Sequence, residues 1–270
     1  MLVFPPCKIN IGLFVTHKRS DGYHAIESIF YPVQWNDMLE IIPSPTQESS
    51  FQLMGNQVTT NHADNIVWKA LQLILKDFPQ CHSDLYLFKN IPSGAGLGGG
   101  SADGAQALVM LNSMYQLQLS QTQLEAYAAQ LGSDCPFFVE SQPKLVEGRG
   151  ERMTPHALRL TGKHIAIIHP GLHVSTADAY RMIIPRAATY SLQELTIDTI
   201  SEWSNFIRND FESPVIQMFP EIGDIKQTLY DCGASYASMS GSGSAVYGLF
   251  DEKPELPVWP AHYKLFEGIL

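Results

Sequence analysis

The chain has little of what marks a secreted, membrane or nucleic-acid-binding protein. It holds four cysteines, Cys7, Cys81, Cys135 and Cys232, scattered without a C-x-x-C pair. No basic segment precedes Leu2-Val3-Phe4-Pro5-Pro6, and prolines lie within it, so the start is unlike a secretory signal. Reduced thiols and a cytoplasmic location are therefore expected. The nine histidines show no clustered ligand spacing, which argues against zinc, and no metal ligand is assigned. No uncharged apolar run approaches the length of about 18 residues that a transmembrane helix needs, so no membrane partner is expected. Basic residues are scarce as well. Against 27 Asp and Glu stand 17 Lys and Arg, a formal net charge of −10, which disfavours nucleic acid and anionic membranes as partners. Internal repeats and low-complexity segments are absent, and nothing points to an obligate protein partner.

What the sequence does have is an apolar content of 45%, ample for a core, and one unusual segment. Pro92-Ser93-Gly94-Ala95-Gly96-Leu97-Gly98-Gly99-Gly100-Ser101 places five glycines in seven residues. Before it, Leu85, Leu87 and Lys89 alternate with Tyr86 and Phe88, the period of a strand. After it, Ala105, Leu108, Leu111 and Tyr115 recur at helical spacing. Glycine permits positive φ and close backbone approach to a ligand, and free N–H groups at a helix start favour an anion. The simplest such ligand is a nucleotide phosphate. A Walker A loop would need a lysine between Gly100 and Ser101. Gly94, Gly96 and Gly99 satisfy G-x-G-x-x-G, but a dinucleotide fold would follow with a second strand, whereas 120–131 reads as a helix. A protein-kinase loop would need a valine where Ser101 stands, together with H-R-D and D-F-G, which do not occur.

Strands are expected at 9–15, 29–33, 38–42, 164–169, 235–239 and 245–250. Helices are expected from Asp64-Asn65 onward, with Asp64 as N-cap, and at 176–184 and 221–232. The turn-rich segment 147–155 is the candidate boundary between domains 1–154 and 155–270. Strands and helices mix without a regular βαβ repeat, so the fold class is α+β.

Two further motifs flank this centre: Pro6-Cys7-Lys8-Ile9-Asn10 and Met239-Ser240-Gly241-Ser242-Gly243-Ser244-Ala245. With the glycine loop they resemble the three motifs of the GHMP small-molecule kinase superfamily. Asp21-Gly22-Tyr23-His24 and Leu131-Gly132-Ser133-Asp134-Cys135-Pro136-Phe137-Phe138 resemble a single branch of it. The resemblance runs from Pro6 to about Phe250, departing only in Cys7 and Ser133, which stand where small residues are usual. It implies a two-domain kinase fold. The N-terminal half would be like ribosomal protein S5 domain 2, the C-terminal half ferredoxin-like, with the active site in the cleft between them. ATP and Mg²⁺ are the implied cofactors. The implied acceptor is a small molecule, the 2-hydroxyl of a cytidine diphosphate methylerythritol.

Carried onto this chain, the resemblance makes Lys8 and Asp134 catalytic: Asp134 accepts or orients the hydroxyl proton, and Lys8 poises it and steadies the phosphoryl group. Taken alone, Asp134 reads equally as an Asx-turn or cap residue. The nucleotide is implied to meet Asn65 and the loop residues Pro92, Ser93, Gly94, Ala95, Gly96, Leu97, Gly98, Gly99, Gly100 and Ser101. Ser101 has a competing role as N-cap, and Asn65 as a capping residue. Asn10, Tyr23, His24, Tyr180, Gly241 and Ser242 are the implied substrate contacts. Tyr23 and Tyr180 would sandwich a pyrimidine, with His24 on its hydrogen-bonding edge. Tyr23 also reads as plain packing, and Gly241-Ser242 as a hairpin turn. Three alternatives stay open: a GHMP kinase acting on homoserine or a sugar, a silent nucleotide-binding sensor, and an RNA-binding protein, which lacks the basic patch that role needs.

Overall fold

The computed structural model describes residues 1–55 and 61–270. The strands are β1 (Leu2–Val3), β2 (Pro6–Lys18), β3 (His24–Asn36), β4 (Met38–Pro43), β5 (Ser50–Gly55) and β6 (Ser83–Lys89). The later ones are β7 (Lys144–Gly148), β8 (Arg152–Pro155), β9 (His164–His169), β10 (Tyr236–Met239), β11 (Val246–Phe250) and β12 (Lys264–Ile269). The helices are α1 (Ile66–Asp77), α2 (Gly99–Met114), α3 (Gln121–Leu131), α4 (Phe137–Glu140), α5 (Thr176–Arg181), α6 (Trp203–Phe206), α7 (Glu212–Met218) and α8 (Pro220–Asp231). The class is α+β, as expected. Two compact units are present: Met1–Cys7 with Trp35–Ser93 and Gly98–Gln142, and Lys8–Gln34 with Gly94–Leu97 and Pro143–Leu270.

In the first unit the sheet runs β1-β4-β6-β5, with β5 parallel to β6 and the other pairs antiparallel. Alternation decides its faces. Leu39 and Ile41 of β4 and Leu85 and Leu87 of β6 are buried, while Met38, Glu40 and Phe88 face solvent. Against the buried side lies α2, which buries Ala102, Ala105, Leu108 and Leu111 and packs on α1, α3, α4 and β4. Gly104 sets the approach of α1 to α2, since a Cβ there would stand 2.8 Å from Ile66. Each fully buried leucine in this layer contributes about 1.5–3 kcal/mol.

Asn65, rather than Asp64, caps α1: its side chain accepts from the Val67 N–H at 2.9 Å, while Asp64 closes a 3₁₀ turn. Both residues can cap, and the extended backbone at Asn65 (φ −67°, ψ 134°) decides between them. Ser120 and Gln123 form a reciprocal capping box on α3.

In the second unit, one sheet runs β2-β3-β7-β8 and another β10-β11-β9-β12. Residues 149–151 form the turn of the β7–β8 hairpin. The second sheet and α8 share a core of Ala166, Ile168, Ile222, Ile225, Leu229 and Val246. Strand β12, short and half-exposed, gave no clear alternating signal.

Candidate functional site

Gly94, Gly96 and Gly98 all take positive φ, 67°, 76° and 71°, the backbone region the glycine loop was expected to need. Gly98 is the N-cap of α2 and supplies no side-chain cap, the first turn carries no acid, and a Cβ on Gly100 would meet open space. The start of this sixteen-residue helix therefore keeps its first N–H groups free of side-chain acceptors, as a phosphate cradle requires. Ser101 is three residues past the N-cap, so its capping reading is set aside. Its hydroxyl lies by the Cys135 thiol, which burial pushes up to about 11 against a smaller opposing pull from Ser101. The turn carrying half-buried Asp134 is thus held beside the first turn of α2. Gln106, donating to the Phe138 carbonyl at 2.7 Å, fixes the following helix to α2 as well.

In the second unit Lys8 is 3% exposed on β2. Its ammonium donates to Asn10 Oδ1 at 2.5 Å and to the Gly96 carbonyl at 2.9 Å, and stands 4.7 Å from the centre of the Phe30 ring. Ser28 decides which way the Asn10 amide faces. Its hydroxyl proton goes to the Gly12 carbonyl at 2.6 Å, so its oxygen accepts from Asn10 Nδ2 at 2.8 Å and Oδ1 is left toward Lys8. Ser240 donates to the same Gly96 carbonyl at 2.8 Å, and the Tyr247 hydroxyl donates to the Asn10 carbonyl at 2.8 Å. Only glycine fits at 96, where a Cβ would lie 2.0 Å from the Ser240 carbonyl oxygen. Gly241 (φ 58°) would put a Cβ 3.1 Å from Gly96, so the C-terminal glycine loop packs on residues 94–97. Asn209 holds that loop through donations to the Met239 and Gly241 carbonyls at 2.8 and 2.7 Å. The Ser242 hydroxyl pairs with Thr176 at 2.8 Å.

The aromatic residues are arranged differently from a simple open sandwich. His24 stacks on Tyr180 with ring centres 5.1 Å apart and planes within 14°, while Phe211 meets Tyr180 edge-on. Tyr23 is 59% exposed, and the Arg149 guanidinium lies 4.6 Å from its ring centre. Asp21 accepts from the Tyr23 N–H at 3.1 Å and pairs with Arg19, whose hydrogen bond holds the Asp21 carboxyl below the usual carboxylate range. Arg19 also reaches Glu151, joining this turn to the β7–β8 turn.

Ser28, Asn209, Tyr247 and Arg149 were not singled out from sequence. Ser28 left a trace as a hydroxyl in the strand register of Ile26 and Phe30; the others left none. A buried group in the first unit was also missed. Lys89, at the end of β6, reaches both Asp37 and Asp103, and its signal was a lysine in the inward register of Leu85 and Leu87. Among the described residues no group of three or more His, Cys, Asp or Glu is set to hold a metal, and no helix is long and apolar enough to cross a membrane.

Known proteins resemble this chain along its length. The family descriptions "GHMP kinases N terminal domain" and "GHMP kinases C terminal" match residues 65–142 and 189–258. The 4-diphosphocytidyl-2-C-methyl-D-erythritol kinase of Bacteroides thetaiotaomicron is 47% identical, with 100% of both chains covered. A crystal structure of a 4-(cytidine 5'-diphospho)-2C-methyl-D-erythritol kinase is 32% identical with a TM-score of 0.77, covering 92% of this chain and 90% of that one. The mevalonate kinase of Methanococcus jannaschii, 14% identical with a TM-score of 0.66 over 99% of this chain and 97% of its own, shares the fold.

Proposed function

The chain belongs to the GHMP kinase family, and from that membership we propose that it phosphorylates 4-diphosphocytidyl-2-C-methyl-D-erythritol on its 2-hydroxyl. ATP is the donor, and the products are the 2-phosphate and ADP, within the non-mevalonate route to isoprenoid precursors. The observation that carries this reading is the buried Lys8 ammonium held on the Gly96 carbonyl of a glycine loop, which leads into a helix start free of side-chain caps. Phosphoryl transfer to an alcohol needs charge neutralisation, alignment and help with the hydroxyl proton. The backbone N–H groups after Gly98 meet the triphosphate. Asp134 accepts or orients the hydroxyl proton, and Lys8 poises it and steadies the transferring group. Asn10 holds the acceptor near Lys8, and Gly241 and Ser242 support it. Asn65, whose oxygen caps α1, contributes to the adenosine end.

Tyr23, His24 and Tyr180 form the pyrimidine site. The base takes its place against Tyr180 by displacing the His24 ring, which then serves its hydrogen-bonding edge. Mg²⁺, when bound, would supply charge neutralisation on the triphosphate, and the Ser101 hydroxyl is the side chain that would touch it or a phosphate oxygen. Residues 1–154 are the nucleotide-binding half in this reading and 155–270 the other half, a division by family segment. A cytoplasmic site of action is part of the same proposal.

The test is ADP release with Mg-ATP, comparing the cytidine substrate with homoserine, galactose and mevalonate. Turnover confined to the cytidine compound is expected. Turnover confined to another alcohol would discard the pyrimidine site, and ATP binding without turnover on any would replace a kinase with a sensor.

A further inference from the structure

The first unit contains a buried charge cluster that the reaction described above does not use. Asp37 lies between β3 and β4, Lys89 ends β6, and Asp103 lies in the second turn of α2; all three are nearly or wholly inaccessible. The Lys89 ammonium donates to Asp37 Oδ2 and, at 2.6 Å, to Asp103 Oδ2. Asp37 Oδ1 accepts from the backbone N–H groups of Asn90 and Ile91 at 2.6 and 2.8 Å. Those two amides are the first residues beyond β6, and Gly94 follows three positions later. Asp103 lies five residues beyond the Gly98 cap, on the helix that the same loop enters.

Packing alone does not account for this arrangement. Apolar residues of similar volume are often as stable as a buried ion pair, so geometry is the better reason to keep one. One cation and two carboxylates would also leave a net negative charge buried on the strand before and the helix after a loop read as holding phosphates. Asp103 resolves this. Burial, with Asp37 adding to it, pushes its carboxyl up to about 8, against the pull of Lys89. Lys89 itself is held above its usual range by the two carboxylates, against the cost of its burial. Asp103 Oδ1 has no hydrogen-bond donor, a costly state for an ionised carboxylate and a mild one for a protonated acid. The buried residues of α1, α3, α4 and β4, which pack against α2, are apolar, leaving Lys89 and Asp37 as the charged groups acting on it.

We propose that Asp37, Lys89 and Asp103 are positioning residues that tie the strand entering the glycine loop to the helix leaving it, setting the loop for nucleotide binding. The proposal rests on the kinase reading of that loop. Asp37 fixes the entry through two backbone amides, Asp103 fixes the exit through α2, and Lys89 joins them. With a proton on Asp103 the cluster is neutral, so it orders the loop without repelling a triphosphate.

The experiment compares wild type with Asp37→Asn, Lys89→Met and Asp103→Asn. It measures KM for ATP and for the cytidine acceptor, binding of a non-hydrolysable ATP analogue, and hydrogen exchange over residues 90–101. Asp37→Asn and Lys89→Met are expected to raise the ATP KM and the analogue's Kd by tenfold or more. Acceptor KM should stay within about twofold, and exchange at 90–101 should quicken. Asp103→Asn, which imitates the protonated acid, should match wild type at pH 7 and keep its ATP affinity above pH 8, where wild type weakens. Unchanged ATP affinity in Asp37→Asn, or an equal rise in both KM values, would overturn the proposal. If Lys89→Met does not fold, the two isosteric asparagine variants decide it. Failure of the kinase reading shows separately, as absent wild-type turnover, while analogue binding and exchange still test the positioning.

Discussion

At the scale of the residue, the site depends on groups whose orientation is set by neighbours outside it. Lys8 and Asn10 were legible because they fall in a short motif, but the reason Asn10 faces Lys8 was not. That reason is Ser28, eighteen positions away, whose single proton is committed to the Gly12 carbonyl. Asp134 was legible in the same way, as the acid of a Gly-Ser-Asp-Cys-Pro turn. Asp134→Asn keeps the shape of the side chain and removes its basicity. It is expected to lower kcat by roughly 10²- to 10⁴-fold with an unchanged melting temperature. Turnover close to wild type would show that another group handles the hydroxyl proton. The residues proposed for the pyrimidine carry a different lesson: the sequence suggests Tyr23 and Tyr180 as two faces of a sandwich, whereas in the structure His24 is the ring that stacks on Tyr180.

At the scale of the element, the glycine loop runs directly into α2. Strand period before the glycines and helix period after them made both flanks readable, and positive φ at Gly94, Gly96 and Gly98 followed from residue type. What sequence did not show was that the loop needs a partner. The Ser240 carbonyl sits where a side chain on residue 96 would be. Gly96→Ala should therefore cost about 1–2 kcal/mol for left-handed backbone alone. The forced shift of residues 94–97 should remove most activity. Denaturant unfolding together with ADP release checks this; a stable and fully active variant would show that the loop yields freely. The same distinction explains α1. Asp64 and Asn65 are equally good capping residues by type, and backbone geometry chose Asn65.

At the scale of the whole molecule, charge is unevenly spent. A chain of net charge −10 buries Lys8 and Lys89 beside the segments that hold anions in the proposed reaction. Asp103 makes stability depend on pH. Its carboxyl keeps its proton in the folded chain to about pH 8, whereas unfolded it ionises in the ordinary range near 4. The folded state thus binds more protons in between, and stability falls as pH rises. This group's contribution is complete below about pH 4 and lost by the time pH has passed 8. Urea unfolding at pH 5, 7 and 9 should show that decline in wild type and a shallower one in Asp103→Asn; parallel slopes would refute it.

By itself the sequence determined the local matters: the glycine loop, the helix after it, the lysine and aspartate motifs, and an α+β mixture. These are readable because backbone freedom, side-chain period and short motifs act over a few residues. Tertiary structure alone decided the rest: the partner carbonyl at Gly96, the Ser28 brace, the ring on Tyr180 and the Asp37–Lys89–Asp103 cluster. Each of these joins residues from 14 to more than 150 positions apart. No local preference encodes such pairings. They exist because the folded chain removes water from those groups, and a buried polar group must then find its partner within reach.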